Sequence, residues 1–274
     1  MIKKTIPDLD LAQTAYSGQV FRMLPVEEER AREISTKISF PEDSPCFRAV
    51  TGCHQVEICQ NGHEFAFMTS ESEFELVWRD YFDLDTDYSE IKKLCDPADT
   101  YLLASIKKGW GIRILKQDLW EVIVSFVISQ NNNIPRIRAS IEKLCSLTGN
   151  DTIPDPEFLS QIPVNVLHSF GLGYRDEYLH KIAVNVMEGT FMPGRLRSMS
   201  YEDAKKELMK QTGIGNKVAD CICVFGLHML NAFPIDTHVK KILSEHYKDG
   251  FPFDKYGKYA AVLQQYMFYN DLTK

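Results

Sequence analysis

The stretch "QTGIGNKVADC" (Gln211–Cys221) interrupts a helical pattern with Gly213-Ile214-Gly215 and restarts it with a lysine in the opening turn. Before it, "SYEDAKKELMKQ" reads as a helix, and after it "NKVADCICVFGLHML" reads as another. The segment therefore predicts helix, tight turn, helix. Two closely spaced glycines allow backbone angles that other residues resist, and leave their amides uncovered. Amides beside a helix N-terminus suit a phosphate, so Gly213 and Gly215 are candidate phosphate contacts. Such a hairpin grips a nucleic-acid backbone without reading sequence. A plain helix pair joined by a glycine turn has the same pattern, and the hairpin alone does not separate the two.

Lys217 tips the balance. The positive end of the helix dipole repels a first-turn lysine, where a carboxylate would be favoured. Dipole and partial burial both favour the neutral amine, the form a nucleophile needs. In "FPIDTHVKKIL", Pro234 breaks the chain and Asp236 falls at the N-cap of the next helix. A carboxylate held there stays ionised and can stabilise a developing cation or take a proton from Lys217. Asp220, three residues from Lys217, is the competing partner; a direct ion pair would hold the amine protonated, so Asp236 is preferred. Cys221, at i+4, shares the face of Lys217 and is otherwise a core residue.

The 274 residues, 44% hydrophobic and 25% charged, suffice for one large domain or two smaller ones. A net charge of −7 argues, taken alone, against a nucleic-acid partner. The distribution weakens that argument. Residues 1–100 hold 10 basic against 20 acidic side chains, whereas residues 101–274 hold 21 against 18. Phosphate binding depends on the local field rather than on the total. No apolar run is long enough to cross a bilayer, and no signal peptide is visible, so no membrane partner is expected. The seven cysteines, an odd number without CxxC pairs, are expected to be reduced. No cysteine follows Cys223, which excludes a four-Cys iron–sulfur cluster in the C-terminal region.

Two textures divide the chain. Up to about residue 70, short β-rich runs ("QVFRML", "FRAVTG", "HQVEIC", "HEFAFMT") alternate with turns, and Asn61-Gly62 signals a hairpin. From about residue 116 the pattern is helical, beginning with the buried-helix run "QDLWEVIVSFVISQ". The expected fold is α+β, with an N-terminal antiparallel sheet domain carrying a few helices (1–115) and a helical helix–hairpin–helix domain (116–274).

Five ordered segments, "SGQVFR", "QDLWEVIVSFVISQNNNIPRI", "GLGYRDEY", "KVADC" and "PIDTHV", resemble the helix–hairpin–helix DNA glycosylases that excise 8-oxoguanine. The resemblance implies that a damaged nucleotide is flipped out of double-stranded DNA, because its C1′ is unreachable inside the stack. It implies that Lys217 attacks C1′, that Asp236 assists, and that the Schiff base then undergoes β-elimination. Superfamily members that only hydrolyse keep the Asp but lack the Lys, so Lys217 implies glycosylase and lyase together. The Gly18 carbonyl matches the acceptor for the extra N7 hydrogen of the oxidised guanine. Cys221 and Phe268 match the positions that sandwich the base, and Gln264 the one that bonds its Watson–Crick edge. Asn131 matches the residue filling the vacated space, Arg136 and Arg175 the contacts to the orphaned cytosine, Tyr174 the wedge and His238 a phosphate contact. Pro135, inside that insertion loop, departs from the pattern and bears on where Arg136 sits.

Two rival readings stand beside this one: the same fold acting on another oxidised or alkylated base, and a non-catalytic DNA-binding module. No cofactor is expected for catalysis, although by analogy with the superfamily a structural cation could sit on the hairpin carbonyls. A monomer is expected, cytoplasmic and nucleoid-associated in a prokaryote or nuclear in a eukaryote; the compact chain points to a bacterial or archaeal source.

Overall fold

Along Cys46–Phe67 the side chains alternate between two apolar faces, and the computed structural model, which describes residues 1–274, makes this stretch the centre of an antiparallel sheet. Its strands are β1 (Ile2–Thr5), β2 (Met23–Pro25), β3 (Cys46–Thr51), β4 (His54–Asn61) and β5 (Glu64–Phe67), in the order β1-β5-β4-β3-β2. Phe47, Ala49, Val56, Ile58, Phe65 and Phe67 face one core with Trp78 and Phe82. Cys46, Cys59 and Ala66 face a smaller one, covered by Ile34 and Ile38 of the helix Glu28–Ile38. Period-two alternation with both faces covered is what a fully buried sheet centre requires. The expected β4–β5 hairpin is present. Asn61 pairs with Glu64, so Gly62 and His63 form the loop, with Gly62 at φ 58°.

One expectation is corrected here. Cys46 and Cys59 are cross-strand partners in β3 and β4, and they form a disulfide, whereas the other five cysteines are in no disulfide. Thirteen residues separate them in sequence, and only strand register brings them together.

The chain forms two compact units, Met1–Lys116 with Ile235–Lys274, and Gln117–Pro234. The first break falls where the texture of the sequence changes. The second differs from the expected division, which assigned all of 116–274 to the helical part. The C-terminal forty residues instead complete the sheet-containing unit. The helix Ala260–Leu272 is buried from Ala260 to Met267, and Tyr266 and Tyr269 lie near Gly109, just past the helix Thr100–Lys108. Lys108 Nζ donates to the Thr273 carbonyl at 2.9 Å.

The unit Gln117–Pro234 is helical. Asp118 caps the helix Leu119–Ser129 by accepting from the Glu121 amide at 2.9 Å. That helix is buried from Val122 to Ile128, as its apolar circumference demands. No helix of the protein is long and apolar enough to cross a membrane.

Candidate functional site

In the helical unit the hairpin is present as read: helix Tyr201–Met209, turn, helix Asn216–Phe225. Gly213 has φ 85°, and a Cβ there would stand 2.3 Å from Cδ2 of Tyr178. Glycine is thus required twice, by the left-handed backbone and by the ring lying on it. Gly215 is the N-cap of Asn216–Phe225 and supplies no side-chain cap, which leaves first-turn amides for an outside anion.

Lys217 lies in that first turn, half-buried, with Nζ 5.4 Å from the centre of the Phe126 ring. The competing carboxylate points elsewhere. Asp220 Oδ1 accepts from Tyr201 Oη at 2.7 Å and pairs with Lys205 Nζ at 2.8 Å, both on the preceding helix. Cys221, on the Lys217 face, is buried. Burial, and secondarily the Asp220 carboxylate, push the neighbouring Cys223 thiol up to about 12.

Asn131, Arg136, Tyr174 and Arg175 gather in the same unit. Asn131 adopts a left-handed backbone, φ 45°, at the end of Leu119–Ser129. Asn132 and Asn133 are structural: Asn132 Nδ2 donates to the Ile128 carbonyl at 3.2 Å, and Asn133 caps the helix Ile134–Cys145. Pro135 therefore lies in a first helical turn, where its missing N–H costs nothing. It leaves Arg136 in regular helix, its amide bonded to Asn133 Oδ1 at 3.0 Å. The exposed Arg136 side chain reaches the Gly171 carbonyl at 3.3 Å, which ties it to the "GLGYR" turn. Tyr174 projects from that turn, 50% exposed.

Arg175 differs from expectation in its surroundings. It is 4% exposed, and its guanidinium donates to the carbonyls of Gln130, Asn131 and Leu172. Its visible work is to fix the Asn131 turn, with Tyr174 under its cationic plane at 4.5 Å.

Three of the base-recognition candidates, Gly18, Gln264 and Phe268, fall in the sheet-containing unit together with Asp236 and His238, whereas Cys221 lies in the helical one. Gly18 has φ 81°, and a Cβ on it would stand 2.9 Å from Cε1 of Phe268. The Phe268 ring therefore lies against the Gly18 backbone. Gln264 lies one helical turn before Phe268, on the same face, and is 5% exposed. Asp236 caps the helix Thr237–His246, with Oδ1 accepting from the Val239 amide at 2.8 Å. His238 packs edge-on to Phe268 at 5.6 Å, and its Nδ1 lies 2.9 Å from Asp271 Oδ2. Hydrogen bonds from Lys274 and His238 hold the Asp271 carboxyl down at about 2.

Sequence reasoning passed over Gln265, whose amide donates to the Ser17 carbonyl and so fixes the residue before Gly18. It also passed over Gln19, which bonds the Arg113 carbonyl and the Leu115 amide. The adjacent amides Gln264-Gln265, and Gln19 directly after Gly18, were the available signal.

A helix–hairpin–helix that presents an amine at its exit is the arrangement of the bifunctional helix–hairpin–helix DNA glycosylases, and the chain falls in that class. Residues 1–123 match the family described as 8-oxoguanine DNA glycosylase, N-terminal domain. Residues 124–250 match the HhH-GPD superfamily of base excision DNA repair proteins. A solved structure of MBOgg1 in complex with a low-affinity DNA ligand superposes with a TM-score of 0.87 at 31% identity, covering 100% of this chain and 99% of that one. The Clostridium acetobutylicum 8-oxoguanine glycosylase/lyase, bound to DNA with cytosine opposite 8-oxoguanine, gives 0.84 at 28% identity, covering 97% and 93%. The Saccharomyces cerevisiae N-glycosylase/DNA lyase is 35% identical over 159 residues, 50% of this chain and 42% of that relative's length. The chain belongs to the 8-oxoguanine DNA glycosylase family, within the HhH-GPD superfamily.

Proposed function

We propose that this protein binds double-stranded DNA, extrudes 8-oxoguanine and excises it through a Schiff base on Lys217. The observation that carries this reading is Lys217 itself, half-buried in the first turn after the hairpin, with the nearest carboxylate in sequence committed elsewhere. The Lys217 amine attacks C1′, and the electron pair of the C1′–N9 bond leaves with the base. The C1′–O4′ bond then opens to the protonated imine, as Asp236 relays an amine proton to O4′. Loss of a C2′ proton then expels the 3′ phosphate and nicks the strand. Asp236, fixed by its cap, stabilises the cationic sugar and accepts the amine proton.

Gly18, Gln264, Phe268 and Cys221 recognise the oxidised base; Asn131 and Tyr174 hold the gap open; Arg136, with Arg175 behind it, faces the orphaned cytosine; His238 and the Gly213–Gly215 amides hold phosphates. Support comes from the pairing of Gly18 with Phe268 and from the gathering of Asn131, Arg136 and Tyr174 around one turn. Borohydride reduces the imine to a stable protein–DNA bond. Native protein is expected to be trapped on a duplex with 8-oxoguanine opposite cytosine, and Lys217→Gln is expected to trap at least a hundredfold less. Equal trapping by both would remove Lys217 from this role.

An amine and a carboxylate supply all the chemistry, so catalysis is proposed to need no cofactor. Excision rates measured with and without a chelator should agree; a loss on chelation would point to a required hairpin cation.

A further inference from the structure

Asp220 is a buried carboxylate that the proposed reaction leaves unused, three residues from the nucleophile on the same helix. Positions i and i+3 are neighbours on a helix surface, and an acid there would ordinarily pair with the lysine. Here Asp220 is 4% exposed and both of its polar contacts lie on the helix Tyr201–Met209: Tyr201 Oη at 2.7 Å and Lys205 Nζ at 2.8 Å. Lys205 Nζ also donates to Tyr201 Oη at 3.5 Å, which closes a three-membered cluster. Lys205 shows 24% of its side chain, so its charge is a partly shielded counter-ion rather than a free surface amine.

We infer that Tyr201 and Lys205 are positioning residues of the excision reaction: they hold Asp220 away from Lys217 and so keep the amine available as a nucleophile. The inference rests on the proposed role of Lys217. The other groups around Lys217 do not substitute for this device. The helix Leu119–Ser129 brings the Phe126 ring to the amine, and its own acids, Asp118 and Glu121, lie at the far end, where Leu119 and Val122 pack on Gly226. Cys221 is the other ionisable neighbour on the Lys217 face, and Asp236 acts as the proposed proton acceptor. Burial and the Asp220 carboxylate raise the Tyr201 phenol well above its ordinary range, so it remains a donor throughout the working range.

The test is the pH profile of borohydride trapping, measured on an abasic-site duplex as well as on 8-oxoguanine opposite cytosine. The abasic duplex needs no base excision, so a wrong lesion assignment leaves the readout intact. Tyr201→Phe with Lys205→Met releases Asp220 toward Lys217 and is expected to raise the half-maximal pH by about one unit. Below the midpoint this is about a tenfold loss of trapping. Adding Asp220→Asn should return the midpoint to that of native protein. Lys205→Gln, which keeps a donor and removes only the counter-charge, gives a smaller shift in the same direction and serves if the double variant unfolds. Coincident profiles for native and released variants overturn the inference. So does a shift that persists with Asp220→Asn, which would mark disturbed packing instead.

Discussion

Replacing Gly18 by alanine sets two penalties on one residue. Its φ of 81° costs a side-chain-bearing residue about 1–2 kcal/mol, and the new Cβ would stand 2.9 Å from the Phe268 ring. The ring must move off the backbone whose carbonyl is proposed to read the lesion. Gly18→Ala is therefore expected to lower kcat/KM for 8-oxoguanine at least tenfold. Tm should fall by only about 2–4 °C per kcal/mol lost. An unchanged kcat/KM with the same Tm loss would show that the Gly18–Phe268 contact serves stability alone. Residue types were the most legible part of the site. Lys217 is chemically out of place at a helix start, and a capping Asp236 follows from Pro234 and the helix beyond it. The commitment of Asp220 was not legible. Its direction depends on how Tyr201–Met209 packs on Asn216–Phe225, which no local pattern encodes.

Among the elements, the helices Thr237–His246 and Ala260–Leu272 meet through one carboxylate. Asp271 bonds His238 at 2.9 Å and Lys274 at 2.6 Å, while Phe268, one turn earlier, packs on His238. Its carboxyl, held at about 2 by those donors, lies below the ordinary value of 3.8. The linkage has a definite sign: a depressed carboxylate stabilises the fold above the ordinary value, and that contribution is lost as pH falls through about 2. Asp271→Asn should thus lower stability at neutral pH and flatten the acid limb of the unfolding curve, followed by circular dichroism. An acid limb as steep as that of native protein would deny Asp271 this part. The helices were readable from periodicity and caps, since Asp99, Asp118, Asn133, Ser200 and Asp236 all cap where their residue type predicts. β1 was passed over: "IKKT" is a four-residue edge strand whose partner, β5, lies sixty residues on. The Cys46–Cys59 bridge was hidden for the same reason, because register is a property of paired strands rather than of either one.

At the level of the whole molecule, the sheet-containing unit is finished by chain that arrives after the helical unit has been made. Nothing in composition announces that return. "AAVLQQYMFYNDL" reads simply as one more buried helix after a series of them, and its destination is set by long-range packing. The consequence is testable by truncation. A chain ending at Pro234 would lose Tyr256, Leu263, Tyr266 and Met267, each 1% exposed or less, from the unit Met1–Lys116 with Ile235–Lys274. Burying one such side chain contributes about 1.5–3 kcal/mol. Four of them approach the whole stability of an ordinary domain, about 5–15 kcal/mol. The Gln265 bond to Ser17 and the Tyr256 bond to the Asp96 amide would go as well, leaving the buried Ser17 carbonyl and the half-buried Asp96 amide without those partners. The truncated protein is expected to bind a hydrophobic dye and to lose the cooperative thermal transition of the sheet-containing unit. Retention of a sharp transition with native near-ultraviolet dichroism would mean that residues 1–116 hold their own core, and that the C-terminal helices contribute to the site without contributing to the fold.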